Sequence, residues 1–118
     1  MREWHDVAPV AQLDRDGRII VRIGGREIGV LRDSTDDSLK ALRNRCPHVG
    51  SPLCRGSVRR RERGSAPGRY ELEPGNVLRC PHHGWEFDLS TGVCLEDPAM
   101  RVAVYEVRVV DDRIHVLA

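Results

Sequence analysis

At 118 residues, with 19 basic and 18 acidic side chains, the chain suits one small domain with its own core and carries no field favouring nucleic acid or membrane. MREWHDVAPV is charged from its second residue and lacks the apolar centre of a secretory signal, and no apolar run approaches the ~18 residues of a bilayer-spanning helix, so a cytoplasmic protein is expected. Four cysteines in a reducing compartment then read as metal ligands or buried thiols rather than disulfides.

Taken in order, the elements are β throughout. Two apolar runs, Ile19–Ile23 and Ile28–Leu31, flank Gly24-Gly25, a pair suited to a tight hairpin turn. SLKALRN is short and strand-compatible. CRGSVRRRERGSAPGRY offers little to bury and holds six arginines against one glutamate between Arg55 and Arg69, which predicts an exposed inserted loop over about 55–69. Tyr70–Glu73 and Val77–Arg79 read as strands around a Pro74-Gly75-Asn76 turn. WEFDLSTG alternates Trp85 and Phe87 against Glu86 and Asp88 before turning. RVAVYEVRVVDDRIHVLA predicts a closing hairpin turning at Asp111-Asp112, and a phase change between Val104 and Tyr105 suggests a bulge. No segment shows a helical period and no internal repeat stands out, so a small antiparallel β-sandwich or barrel is expected over 1–118.

Two segments look like mates, CPHVGSPL from Cys46 and CPHHGWEF from Cys80. Each offers a cysteine and a histidine on a loop stiffened by proline and relieved by glycine. Together they describe a site of two thiolates and two imidazoles. Zinc is one reading, although Cys2His2 zinc sites usually pair cysteine with cysteine and histidine with histidine, whereas each arm here mixes the two.

The pair resembles the Rieske [2Fe–2S] motif, C-x-H in one loop and C-x-x-H in the other, over about residues 38–118. That resemblance implies a cluster-binding subdomain at about 45–98 made by the two ligand loops. It further implies that Cys46 and Cys80 hold one iron of a single [2Fe–2S] cluster and His48 and His83 the other, with His82 a spacer and Pro98 in a third, shielding loop. Two neutral imidazoles in place of two thiolates make the oxidised cluster less negative. Its potential then rises from about −400 mV in all-cysteine clusters into a range of about −150 to +300 mV. The high-potential members brace the site with a disulfide, but Ser51 and His82 stand at those positions. Trp85 also replaces a serine whose hydroxyl bonds a cluster sulfide, so a potential near the low end, about −150 mV, is expected.

The remaining candidates read blandly: Cys54 and Cys94 as buried thiols, His5 and His115 as ordinary strand or surface residues. The 31 residues between His48 and Cys80 exceed the family's usual spacing, and the extra length is the arginine-rich stretch. Too little chain follows Gly84 for a mononuclear iron domain. The resemblance therefore implies an electron-transfer protein rather than an enzyme: a Rieske ferredoxin passing single electrons from a flavin reductase to a terminal oxygenase or similar acceptor. The alternatives are the small subunit of a multi-subunit oxidoreductase such as nitrite reductase, and a zinc-binding or metal-free interaction module.

Overall fold

Two sheets share the chain unequally, one of six strands and one of three. A computed structural model describes residues 2–33, 36–47, 50–66, 69–81 and 84–118, with the backbone alone for 59–66 and 69–75. The large sheet takes β1 (Trp4–Pro9), β2 (Ile19–Ile23), β3 (Arg26–Arg32), β4 (Leu39–Arg43), β8 (Val104–Val110) and β9 (Arg113–Leu117), in the order β1-β9-β8-β4-β3-β2. Its two edges, β1 and β2, face each other across a cleft lined by His5, Asp6, Val7 and Val21 to Gly24, which nearly closes a barrel. The small sheet, β5-β6-β7, combines Ser57–Ala66, Arg69–Arg79 and Glu86–Asp88.

The expected turns are present where glycine or aspartate permits them. Gly24 and Gly25 adopt φ of 58° and 80° between β2 and β3, and Asp111 and Asp112 adopt 51° and 61° between β8 and β9. Successive positive φ values give the hairpin turn whose twist matches that of the strands. Asp88 Oδ1 accepts the N–H groups of Ser90 and Thr91, which starts the turn after β7.

Four local readings are corrected. Val10–Asp16 is a helix, α1, packed through buried Leu13 and ended by Gly17 at φ 82°, whose N–H bonds the Leu13 carbonyl. At seven residues it is too short to display a helical period. Residues 57–66, expected as a loop, form β5, paired with β6 from Ser57↔Arg79 to Ala66↔Arg69. Pro74-Gly75-Asn76 does not turn the chain: β6 runs through it, and the excess residues are absorbed between the Arg60↔Asn76 and Glu62↔Leu72 pairs. Finally, β4 and β8 pair in unbroken register at Ala41↔Tyr105 and Leu42↔Val104, so the phase change at Val104 has another cause.

That cause is a change of core. Val102 is buried among Cys46, Leu53, Leu78, Phe87 and Leu89, the cluster of apolar side chains beneath the small sheet. Tyr105 and Val107 pack instead against Ile28, Val30, Ile114 and Val116 inside the large sheet. The chain crosses from one core to the other at 103–104, and the inward-facing set switches with it.

Candidate metal centre

Among the described residues, the two cysteine loops share one pattern of backbone hydrogen bonds. In the first, between β4 and the short 3-10 turn Leu53–Arg55, the Cys46 N–H donates to the Ser51 carbonyl at 2.8 Å and the Cys46 carbonyl accepts from Gly50 N–H at 2.7 Å. In the second, between β6 and β7, the Cys80 N–H donates to the Trp85 carbonyl at 2.8 Å and its carbonyl accepts from Gly84 N–H at 3.1 Å. Gly50 and Gly84 hold φ of 74° and 70°, left-handed values that let each loop turn back after four residues. The sequence behind this identity is a hexapeptide repeat, R-C-P-H-x-G, at 45–50 and 79–84. Sequence reading had matched the cysteines, prolines and glycines but not the arginines.

Those arginines take equivalent places. The Arg45 guanidinium stands 3.6–3.8 Å from where a Cβ on Gly50 would lie, and the Arg79 guanidinium 2.8–3.3 Å from the same point on Gly84. Each folds back over its own loop glycine.

Cys46 and Cys80 are each 1 % exposed and belong to one apolar cluster, with Leu53, Leu78, Phe87 and Leu89 around them and half-buried Trp85 and Met100 at its margin. A [2Fe–2S] group suits such a setting, with soft sulfur donors held out of bulk water on loops whose cysteine amides and carbonyls are hydrogen-bonded. The described residues fit it. His48, His82 and His83 lie outside the described residues. Among the described residues no group of three His, Cys, Asp or Glu side chains converges.

Further bonds fix the first loop. Buried Asn44 precedes it, and its Oδ1 accepts the N–H of Cys54 at 2.7 Å while its Nδ2 donates to Glu27 Oε1 at 3.1 Å. Arg18 Nη1 donates to the carbonyls of Cys54 and Gly56, at 2.8 and 2.9 Å. Neither Asn44 nor Arg18 stood out in the sequence, since a lone Asn and a lone Arg carry no pattern.

Cys54 and Cys94 are separate buried thiols. Burial pushes Cys54 up to about 12 from an ordinary 9.0, against the smaller lowering effects of the Gly29 backbone and Arg18. Burial also raises Cys94, whose Sγ approaches Glu96 Oε1 at 3.6 Å. Pro98 is exposed on the segment after Cys94, which closes through Cys94 N–H to the Met100 carbonyl. Glu96 Oε1 ties that segment to the second loop by accepting the N–H of Glu86 at 2.9 Å. No helix among the described residues is long and apolar enough to cross a membrane.

Known proteins agree with this scaffold. Oxidoreductase NdmD of Pseudomonas putida is 31% identical over 103 residues, which cover 87% of this chain and 15% of NdmD. The chain spans less than a quarter of the length of the curated relatives it matches. A Mycobacterium tuberculosis protein assigned as the small subunit of an NADH-dependent nitrite reductase superposes with a TM-score of 0.77 at 27% identity, covering 100% of this chain and 96% of that one. A ferredoxin of Sphingomonas yanoikuyae B1 has the same fold, with a TM-score of 0.70 at 19% identity over 98% of this chain and 99% of its own. The model of the Rieske [2Fe-2S] domain matches residues 3–107, from β1 to the middle of β8, and so takes in both cysteine loops. The chain therefore belongs to the Rieske [2Fe–2S] domain family, and its cofactor is one [2Fe–2S] cluster.

Proposed function

We propose that this chain is a one-electron carrier, in which the Cys46 and Cys80 thiolates hold one iron and the His48 and His83 imidazoles hold the other. The observation that carries the reading is the matched backbone hydrogen bonding at Cys46 and Cys80, 34 positions apart, each loop delivering a buried cysteine to the same apolar cluster. When bound, a [2Fe–2S] cluster takes up and returns one electron at a time. The chain's own work is positional. The Ser51 and Trp85 carbonyls hold the two cysteine amides, Leu53, Leu78 and Phe87 keep water from the sulfurs, and the glycines let the loops turn tightly.

The choice of His83 rests on the family's C-x-x-H spacing. Loop equivalence by itself sets His82, not His83, at the position matching His48, so the two neighbours must be separated by experiment. With no disulfide possible between Ser51 and His82, and tryptophan at position 85, a low potential is the companion expectation.

A diffusing ferredoxin, fed by a flavin reductase and emptied by an oxygenase, is the leading form. The end-to-end match to the nitrite reductase subunit protein, at 27% identity, favours a second form, an obligate small subunit of a larger oxidoreductase. An ultraviolet–visible spectrum of purified protein tests the common core. Reddish-brown absorption bleached by dithionite supports it, and a featureless trace above ~300 nm ends it. Stability as an isolated monomer then supports the carrier, and dependence on a co-expressed larger subunit supports the second form.

A further inference from the structure

Among the described residues, the surface around the first cysteine loop carries three arginines, Arg43, Arg45 and Arg101, without a carboxylate partner. Two shallow depressions, each of about 280 Å³, meet along Arg43 and Arg45. One extends toward Arg22 and the other passes Pro47 to Arg101. Among the described residues, Arg43, Arg45 and Arg101 have no ion-pair partner, although five other arginine–carboxylate contacts link Arg15, Arg22, Arg32 and Arg113 to acids elsewhere. Among the described residues, the one carboxylate lining these depressions, Glu27, is already engaged by Arg22 at 3.4 Å and by Asn44.

A chain of formal charge +1 has thus gathered unneutralised positive charge at one place. The flank of the second loop differs, since Glu86, Glu96 and Asp97 follow it within 20 residues of Cys80 and two of them meet through Glu96 Oε1 and the Glu86 N–H. On the second loop Arg79 stands opposite Glu86 in the β6–β7 ladder, whereas the first loop is flanked by Arg43, Arg45 and Arg101.

We propose that the Arg43–Arg45–Arg101 surface around Pro47 is the docking site for a redox partner that presents a cluster of carboxylates, so that the partner approaches over the first loop rather than the second. This rests on the electron-carrier reading above. Clustered charge of one sign steers encounter with the opposite sign and fixes the orientation of the complex, and both effects fade with salt. Nucleic acid is the weaker occupant, because a near-neutral chain lacks the extended basic track that a phosphate backbone requires.

Small inorganic oxidants read the local charge directly. In each turnover the reduced holoprotein gives one electron to hexacyanoferrate(III), an anion, or to hexaammineruthenium(III), a cation. Raising ionic strength from about 0.01 M to 1 M shortens the screening length from about 30 Å to 3 Å. The anion's rate is expected to fall about tenfold or more and the cation's to rise, a pattern reversed in Arg43→Glu/Arg45→Glu/Arg101→Glu and unchanged in Arg15→Glu. A labelled polyglutamate peptide, followed by fluorescence anisotropy, should bind wild type at low salt and lose about tenfold or more in affinity to the triple variant.

A cluster that is present but whose oxidation by both ions ignores salt, or a triple variant that behaves as wild type, overturns the docking proposal alone. Tighter binding of an RNA oligonucleotide than of a polyglutamate of equal charge also overturns it. A preparation without dithionite-bleachable absorption overturns the electron-carrier reading and the docking proposal with it.

Discussion

Asn44 Oδ1 accepts the backbone N–H of Cys54 at 2.7 Å, and both groups are buried. The bond ties the chain entering the first cysteine loop to the turn leaving it. Asn44→Ala strands that amide away from water and releases Glu27, so it should cost about 1–3 kcal/mol in chemical unfolding. Asn44→Asp keeps the acceptor but sets a carboxylate against Glu27, and should recover only part of the loss. Equal stability of Asn44→Ala and wild type would remove Asn44 from the loop's support.

Three glycines should respond differently to the same change to alanine. At Gly56 an added methyl would overlap the Arg79 carbonyl oxygen, immovable backbone where β5 and β6 begin to pair. The expected penalty is about 1–3 kcal/mol or more, with reduced iron content because Cys80 follows directly. Gly84→Ala meets only the mobile end of Arg79 but must keep φ 70°, and Gly25→Ala meets nothing within 4 Å and must keep φ 80°. Each of the latter should cost about 1 kcal/mol, the strain of a left-handed residue. Denaturation midpoints rank the three.

Alkaline pH should destabilise the protein through Cys54. Its folded-state value, about 12, lies above the ordinary thiol value of 9.0, so the folded state holds the proton more tightly. The associated stability is complete below pH ~9 and declines as the unfolded thiol ionises, at up to about 1.4 kcal/mol per pH unit until pH ~12. Unfolding free energies of wild type and Cys54→Ala, compared from pH 8 to 10.5, should diverge in slope above about pH 9. Parallel curves would assign the alkaline loss to other groups.

Substitution separates the adjacent histidines. His82→Ala should retain visible absorption, whereas His83→Ala should lose it. His83→Cys, where a cluster assembles, should lower the potential by adding a negative charge to the iron site. A protein film voltammogram with an unchanged or raised midpoint for His83→Cys would transfer the ligand role to His82, the position that aligns with His48 in the R-C-P-H-x-G repeat.

The antiparallel β class was legible in the sequence, whereas several local elements were not. Cys46 and Cys80 stood out because each heads a proline- and glycine-marked loop, a dense local signal, and both are buried in one apolar cluster. Gly24-Gly25 and Asp111-Asp112 were equally local, and both hairpins form as expected. The misses are places where local appearance and tertiary outcome part. Residues 57–66 look like linker because their composition lacks anything to bury, yet pairing along β6 needs only backbone groups, and those every residue supplies. Val102 and Tyr105 looked out of phase because a single pattern was sought for a segment that serves two cores. Asn44 and Arg18 act through bonds to residues 10 and more than 30 positions away, which no short window contains.

The pairing of Ser57 with Arg79 has a consequence for how metal is acquired. Because Ser57 follows one cysteine loop and Arg79 precedes the other, that one end of the ladder adjoins both, and backbone alone closes the long excursion between Cys46 and Cys80. Iron and sulfide would then meet a preorganised apo cradle rather than a floppy chain whose ends must first find each other, and the entropy of that search falls to ordinary folding instead of to metal capture.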